Sequence, residues 1–62
     1  MNVYNGIPLR NRPMIFRSLA MAEQCAASCV KAAWIVLGVV GEYVVVCPAD
    51  FSRLTKAGFT PA

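Results

Sequence analysis

The chain has no histidine and only three carboxylates, Glu23, Glu42 and Asp50. The first absence removes the commonest general acid–base group. The acids fall on separate predicted elements, so no paired-carboxylate site is expected. Ser18, Ser28 and Ser52 have no base partner in the sequence, and no glycine-rich phosphate loop is present. Cysteine is scarce as well, with Cys25, Cys29 and Cys47 as its three copies. An odd number argues against a secreted disulfide framework. Zinc needs about four Cys, His or carboxylate ligands, and Asp50 is the only nearby fourth candidate. No metal and no cofactor are therefore expected, and the thiols read as reduced, small core hydrophobes of a cytoplasmic protein. Cys47 precedes Pro48, where a helix N-terminus would favour its thiolate; an apolar strand end is the plainer reading. These absences point away from an enzyme.

Charge is sparse too. Only 15% of residues are charged against 58% hydrophobic, which excludes a disordered tail. Sixty-two residues make a single small domain, 1–62, which buries only about 60% of its unfolded surface. The six bases are Arg10, Arg12, Arg17, Lys31, Arg53 and Lys56, giving a net charge of +3. Three of them precede the first acid, Glu23. Such a basic arm can attract phosphate or an acidic protein surface, or it can be a solvated edge.

No targeting segment is recognisable, because Asn5-Gly6, Pro8 and Pro13 break the N-terminal region. The apolar stretch 32–47 is interrupted by Gly38, Gly41 and Glu42. Its unbroken part is about half of the ~20 residues that a membrane helix needs, so no membrane association is expected.

What is present is strong local patterning. Asn5-Gly6 between Tyr4 and Ile7 predicts a hairpin with a type I′ turn, and Pro8 confines the returning strand to an edge. Arg10–Pro13 reads as a polar connection and Met14–Arg17 as a short strand. Ser18 is placed to cap a helix with its hydroxyl, running from about Leu19 to Lys31 or Ala33. One arc of that helix collects Leu19, Met21, Ala22, Cys25, Ala26, Cys29, Val30 and Ala33; the other collects Glu23, Gln24, Ala27, Ser28 and Lys31. The small buried arc suits close packing on a sheet.

Trp34–Val40 is bulky and β-branched, which favours strand. Gly41-Glu42 predicts a two-residue type II′ turn, with Tyr43–Cys47 returning. That register pairs Val40 with Tyr43, Gly38 with Val45 and Val36 with Cys47. Pro48 opens a last helix at its first position, Asp50 complements the helix dipole, and Gly58 with Phe59 over Leu54 predicts a Schellman ending. The fold class is α+β: an antiparallel sheet of three to four strands, one longer helix across a face, and a short C-terminal helix.

Alternation places Ile35, Leu37, Val39, Val44 and Val46 on one sheet face. Trp34, Val36, Gly38, Val40, Tyr43, Val45 and Cys47 fall on the other. Both are apolar. The second face is either covered by the last helix or the N-terminal arm, or left as an interaction patch. In the latter case Trp34, Tyr43 and Val40 form the contact surface, with Arg10, Arg12 and Arg17 at its rim. A homo-oligomer would also hide it. Tyr4 and Phe16 among the same arginines offer a weaker nucleic-acid pattern, and Phe16 also suits a core.

The closing run Tyr43–Phe59 carries strand, Pro48-Ala49-Asp50, Arg53-Leu54 and Ala57-Gly58-Phe59. Together with Phe16, Leu19 and Ala22 it resembles short uncharacterised proteins of bacterial mobile elements, phages and plasmids. The resemblance implies a small protein that blocks or adapts host machinery, with anti-CRISPR proteins as the class of that size. The expected role is thus a non-enzymatic inhibitor in the host cytoplasm that occludes a host protein or nucleoprotein complex, such as a CRISPR effector. A small basic nucleic-acid-binding protein is the alternative.

Overall fold

A computed structural model describes residues 2–29 and 32–62. Its elements are β1 (Asn2–Tyr4), β2 (Ile7–Leu9), β3 (Met14–Phe16), α1 (Leu19–Ser28), β4 (Trp34–Leu37), β5 (Tyr43–Val46) and α2 (Pro48–Lys56). The fold is α+β as expected. The strands divide into a β1–β2 hairpin and a separate antiparallel sheet in the order β3-β5-β4.

Local signals account for much of this. Asn5 and Gly6 take φ of 50° and 81°, and Tyr4 pairs with Ile7 across them, as a type I′ turn requires. Pro48 occupies the start of α2. At its other end, the Phe59 N–H donates to the Leu54 carbonyl at 3.0 Å and the Gly58 N–H to the Thr55 carbonyl at 3.1 Å. Gly58 has φ 107°. This is the Schellman pattern.

The β4–β5 turn differs from expectation. Trp34 pairs with Val46, Ile35 with Val45, Val36 with Val44 and Leu37 with Tyr43. The connection is the three-residue loop Val39-Val40-Gly41, not a two-residue turn at Gly41-Glu42. The Gly41 N–H donates to the Gly38 carbonyl at 3.3 Å, and the Gly38 N–H to the Glu42 carbonyl at 2.6 Å. Gly41 has φ 84°, which fits the left-handed residue that follows a type I turn in three-residue hairpins. Glu42 fixes this choice. Its carboxylate accepts the Val40 N–H at 3.0 Å and the Tyr4 hydroxyl at 3.0 Å. Gly38 leaves the room, since a Cβ there would collide with the Glu42 carboxylate and lie 2.6 Å from the Tyr4 oxygen.

Residues directly opposite in an antiparallel pair share a face, so the new register redistributes the side chains. Trp34, Val36, Val44 and Val46 share one face, and Ile15, opposite Val44, joins them. Ile35, Leu37, Tyr43 and Val45 share the other with Met14 and Phe16. The first face meets the arm and α2 in a core of Tyr4, Leu9, Val36, Val44, Val46 and Leu54, flanked by Ile7, Phe51 and Phe59. The second lies under α1, whose Ala22 is fully buried. Covering by the last helix and the N-terminal arm, rather than a bare second face, is what the chain adopts.

Three features of α1 depart from expectation. Ser18 is the N-cap residue but makes no side-chain cap bond; only its carbonyl is used, accepting the Ala22 N–H at 3.1 Å. The helix stops at Ser28, with Cys29 extended; Val30 and Lys31 lie outside the described residues. Ser28 Oγ donates to the Gln24 carbonyl and Cys29 Sγ to the Cys25 carbonyl, side-chain bonds that compete with helix propagation. The buried arc is also narrower than its sequence pattern. Leu19, Met21 and Cys29 are exposed, and Cys25 and Ala26 are half-buried. A three-stranded sheet is too narrow to cover that whole arc.

The two sheet edges are treated differently. The C-terminal tail seals β4: the Leu37 N–H donates to the Thr60 carbonyl at 2.8 Å, the Ala62 N–H to the Ile35 carbonyl at 3.1 Å, and Val36 bridges Pro61. No strand or tail among the described residues pairs with the outer edge of β3.

Candidate interaction surface

The six residues expected to form one surface are split. Trp34 and Tyr43 sit on opposite sheet faces, so no common face holds both; the shift in register from the two-residue turn is the cause. Trp34 is 49% exposed and stacks at 5.3 Å on Phe51 of α2, at the rim of the first face. Tyr43 is half-buried between Leu37 and Phe16. Val40 has left the sheet for the loop tip and is 83% exposed.

The arginines are split as well. Arg10 and Arg12 lie in the exposed connection between β2 and β3, near the start of α2. Arg17 follows β3 at the opposite end of that strand, beside an open cleft shared with Val40, Gly41 and Glu42. Arg12 and Arg17 therefore bracket β3. Between them Met14 is 49% and Ile15 54% exposed, on opposite faces. A shallow groove of about 430 Å³ runs along Arg12–Phe16. Among the described residues, the side chains of these arginines make no hydrogen bond or ion pair.

What places this edge is a carboxylate that sequence reasoning weighed as a helix-dipole partner and as a zinc ligand, not as a clamp on the arm. Asp50 is fully buried. It accepts the Arg10 N–H at 2.7 Å and the Asn11 N–H at 3.0 Å, while Arg53 reaches the Pro8 carbonyl at 3.2 Å. Burial pushes the Asp50 carboxyl up. The Arg10 and Asn11 amides, the Cys47 thiol and the Arg53 charge outweigh that and hold it below the ordinary aspartate range. The arm is thus pinned to the start of α2, and the chain leaves that clamp directly into Arg12 and β3. A carboxylate in a helix's first turn is the only local signal for this; its partners lie 40 and 39 residues away.

The second missed pair is Tyr4 with Glu42. Burial first, then the bond to Glu42, raises the Tyr4 hydroxyl above its usual value. Glu42 is lowered, first by its own N–H, and, against desolvation, further by the Val40 N–H and the Tyr4 hydroxyl.

The cysteines are free, Cys29 exposed and Cys25 and Cys47 half-buried, so the expectation of three buried thiols fails at Cys29, which sits beyond the end of α1. Among the described residues no three of Cys, His, Asp and Glu converge on a metal position, and no helix is long and apolar enough to cross a membrane. No protein-family model, curated protein or solved structure matches the chain.

Proposed function

We propose that the chain is a non-enzymatic interaction module of a bacterial mobile element, an inhibitor of a host defence complex of the anti-CRISPR kind, which works in the cytoplasm by occluding a binding surface. The observation that carries this reading is the open edge of β3. It offers half-exposed Met14 and Ile15 between two arginines, while the other sheet edge is sealed by the chain's own tail. An unpaired edge can accept a partner strand, and arginine suits a carboxylate- or phosphate-bearing rim. Trp34 supplies a further contact of the type enriched at hot spots. Pairing of β3 with a second copy would set Arg12 and Arg17 of both copies against each other, which favours a foreign partner over a homo-oligomer.

The test is retention on purified CRISPR effector complexes together with interference in cells. The native chain is expected to be retained and to lower interference, and Ile15→Thr combined with Arg17→Glu to lose both. Failure to bind any effector, with interference unaffected, would remove the inhibitor reading. The unpartnered arginine side chains also support a nucleic-acid reading. It requires affinity for DNA or RNA that falls steeply with salt as counterions are released; no mobility shift at low salt would dismiss it.

A further inference from the structure

Three sulfur-bearing side chains, Met14, Cys25 and Cys29, lie near one another where α1 crosses the start of β3. Cys29 follows Cys25 by four residues, just past the end of α1, and lines a cleft together with Met14 of the strand. The Cys25 Sγ is 3.6 Å from the Met14 Sδ. The Cys29 Sγ is 3.2 Å from the Cys25 carbonyl. We propose that Met14, Cys25 and Cys29 form a binding site for one monovalent thiophilic cation, Cu(I).

The donor chemistry selects the ion. Thiolate and thioether donors favour Cu(I), while carboxylate, carbonyl and water suit hard cations. Zinc would need about four ligands, and no histidine or carboxylate joins this group among the described residues. The dimensions agree. With metal–sulfur bonds of about 2.3 Å, a trigonal three-sulfur site has edges of about 4 Å, close to the 3.6 Å between the Cys25 Sγ and the Met14 Sδ. Access is open, since Cys29 is exposed and Met14 half-exposed. Charge is complementary too. Loading Cu(I) displaces both thiol protons and leaves the two thiolates and one cation with a net charge of minus one. Arg12 lines the same cleft as Met14 and Cys29 and offsets it. The site is independent of the inhibitor reading and stands or falls without it.

The experiment uses the full reduced chain without oxygen. Cu(I) is titrated against a chromophoric Cu(I) chelator, and Ag(I) is added to protein carrying ¹³C-methyl methionine for NMR. One equivalent is expected to bind, and the Met14 methyl signal to shift while that of exposed Met21 stays fixed. Cys25→Ser is expected to weaken affinity by about tenfold or more, because one of three soft donors is lost. Met14→Leu, which keeps the volume, weakens it to a smaller degree, and Cys47→Ser leaves it unchanged. An unshifted Met14 methyl in the native chain, native affinity in Met14→Leu, or a loss in Cys47→Ser equal to that in Cys25→Ser would each overturn the assignment. The methyl readout needs no variant, so a folding defect in Cys25→Ser does not decide the outcome.

Discussion

Asp50 shows how much of this small fold rests on single polar atoms. Its two oxygens satisfy the amides of Arg10 and Asn11 from a fully buried position. Replacing Asp50 by Ala should cost about 2 kcal/mol, the scale for leaving buried groups unpaired. That is a large share for a domain whose core rarely supplies more than about 3–5 kcal/mol. Asp50→Asn should recover only part, since one of its two acceptors becomes a donor. Urea melts followed by Trp34 fluorescence would check both. Because the folded-state pKa is depressed, the stabilisation is complete above the unfolded value of 3.8 and drains away as pH falls through the lower folded value. Melting temperature should therefore drop below about pH 4 in the native chain, and drop less in Asp50→Asn. Gly38→Ala should be costlier than a glycine change on an open loop, since its Cβ meets Glu42 and Tyr4. The sequence identified Asp50 as a first-turn acid, but it could not identify the two amides, because nothing local links α2 to a connection some forty residues earlier.

At the scale of elements, legibility followed how local the determinant was. The β1–β2 hairpin was readable because Asn5-Gly6 alone specifies the turn. The start and end of α2 were readable from Pro48 and from Gly58 with Phe59. The second hairpin was readable in existence but not in register. Gly41 can serve a two-residue or a three-residue turn, and the choice between them is made by Glu42 bonding Tyr4, a contact across 38 residues. The common Trp34/Tyr43/Val40 surface was lost with that register. The far end of α1 was misjudged because Ser28 and Cys29 turn their side chains onto the Gln24 and Cys25 carbonyls, and its buried arc because the sheet beneath is narrower than the apolar pattern. Gly58→Ala tests the ending of α2: open space surrounds the position, yet φ is 107°, so the cost should be backbone strain alone, about 1 kcal/mol. A thermal melt in which Gly58→Ala matches the native chain would contradict the left-handed cap.

For the whole molecule, the arrangement is a three-stranded sheet with α1 on one face and the arm with α2 on the other. What remains uncovered is an edge rather than a face. The tail at Thr60–Ala62 makes the two edges unequal. Removing those three residues should free the Leu37 amide and the Ile35 carbonyl, speed Leu37 hydrogen exchange, and promote self-association through a second open edge. If the truncated chain stays monomeric and Leu37 remains protected, the tail does not seal β4. The β3 edge was not foreseeable from alternation alone, since the strand is only three residues long and its neighbour in the sheet, β5, lies far along the chain.

The relative placement of Trp34 and Tyr43 decides which surface is open, and nuclear Overhauser contacts across β4 and β5 measure it directly. The structure requires contacts between Val36 and Val44 and between Leu37 and Tyr43, with the Trp34 ring touching Phe51 and remote from the Tyr43 ring. Contacts pairing Val40 with Tyr43 and Val36 with Cys47 would instead return both aromatic rings to one face and contradict the layered arrangement.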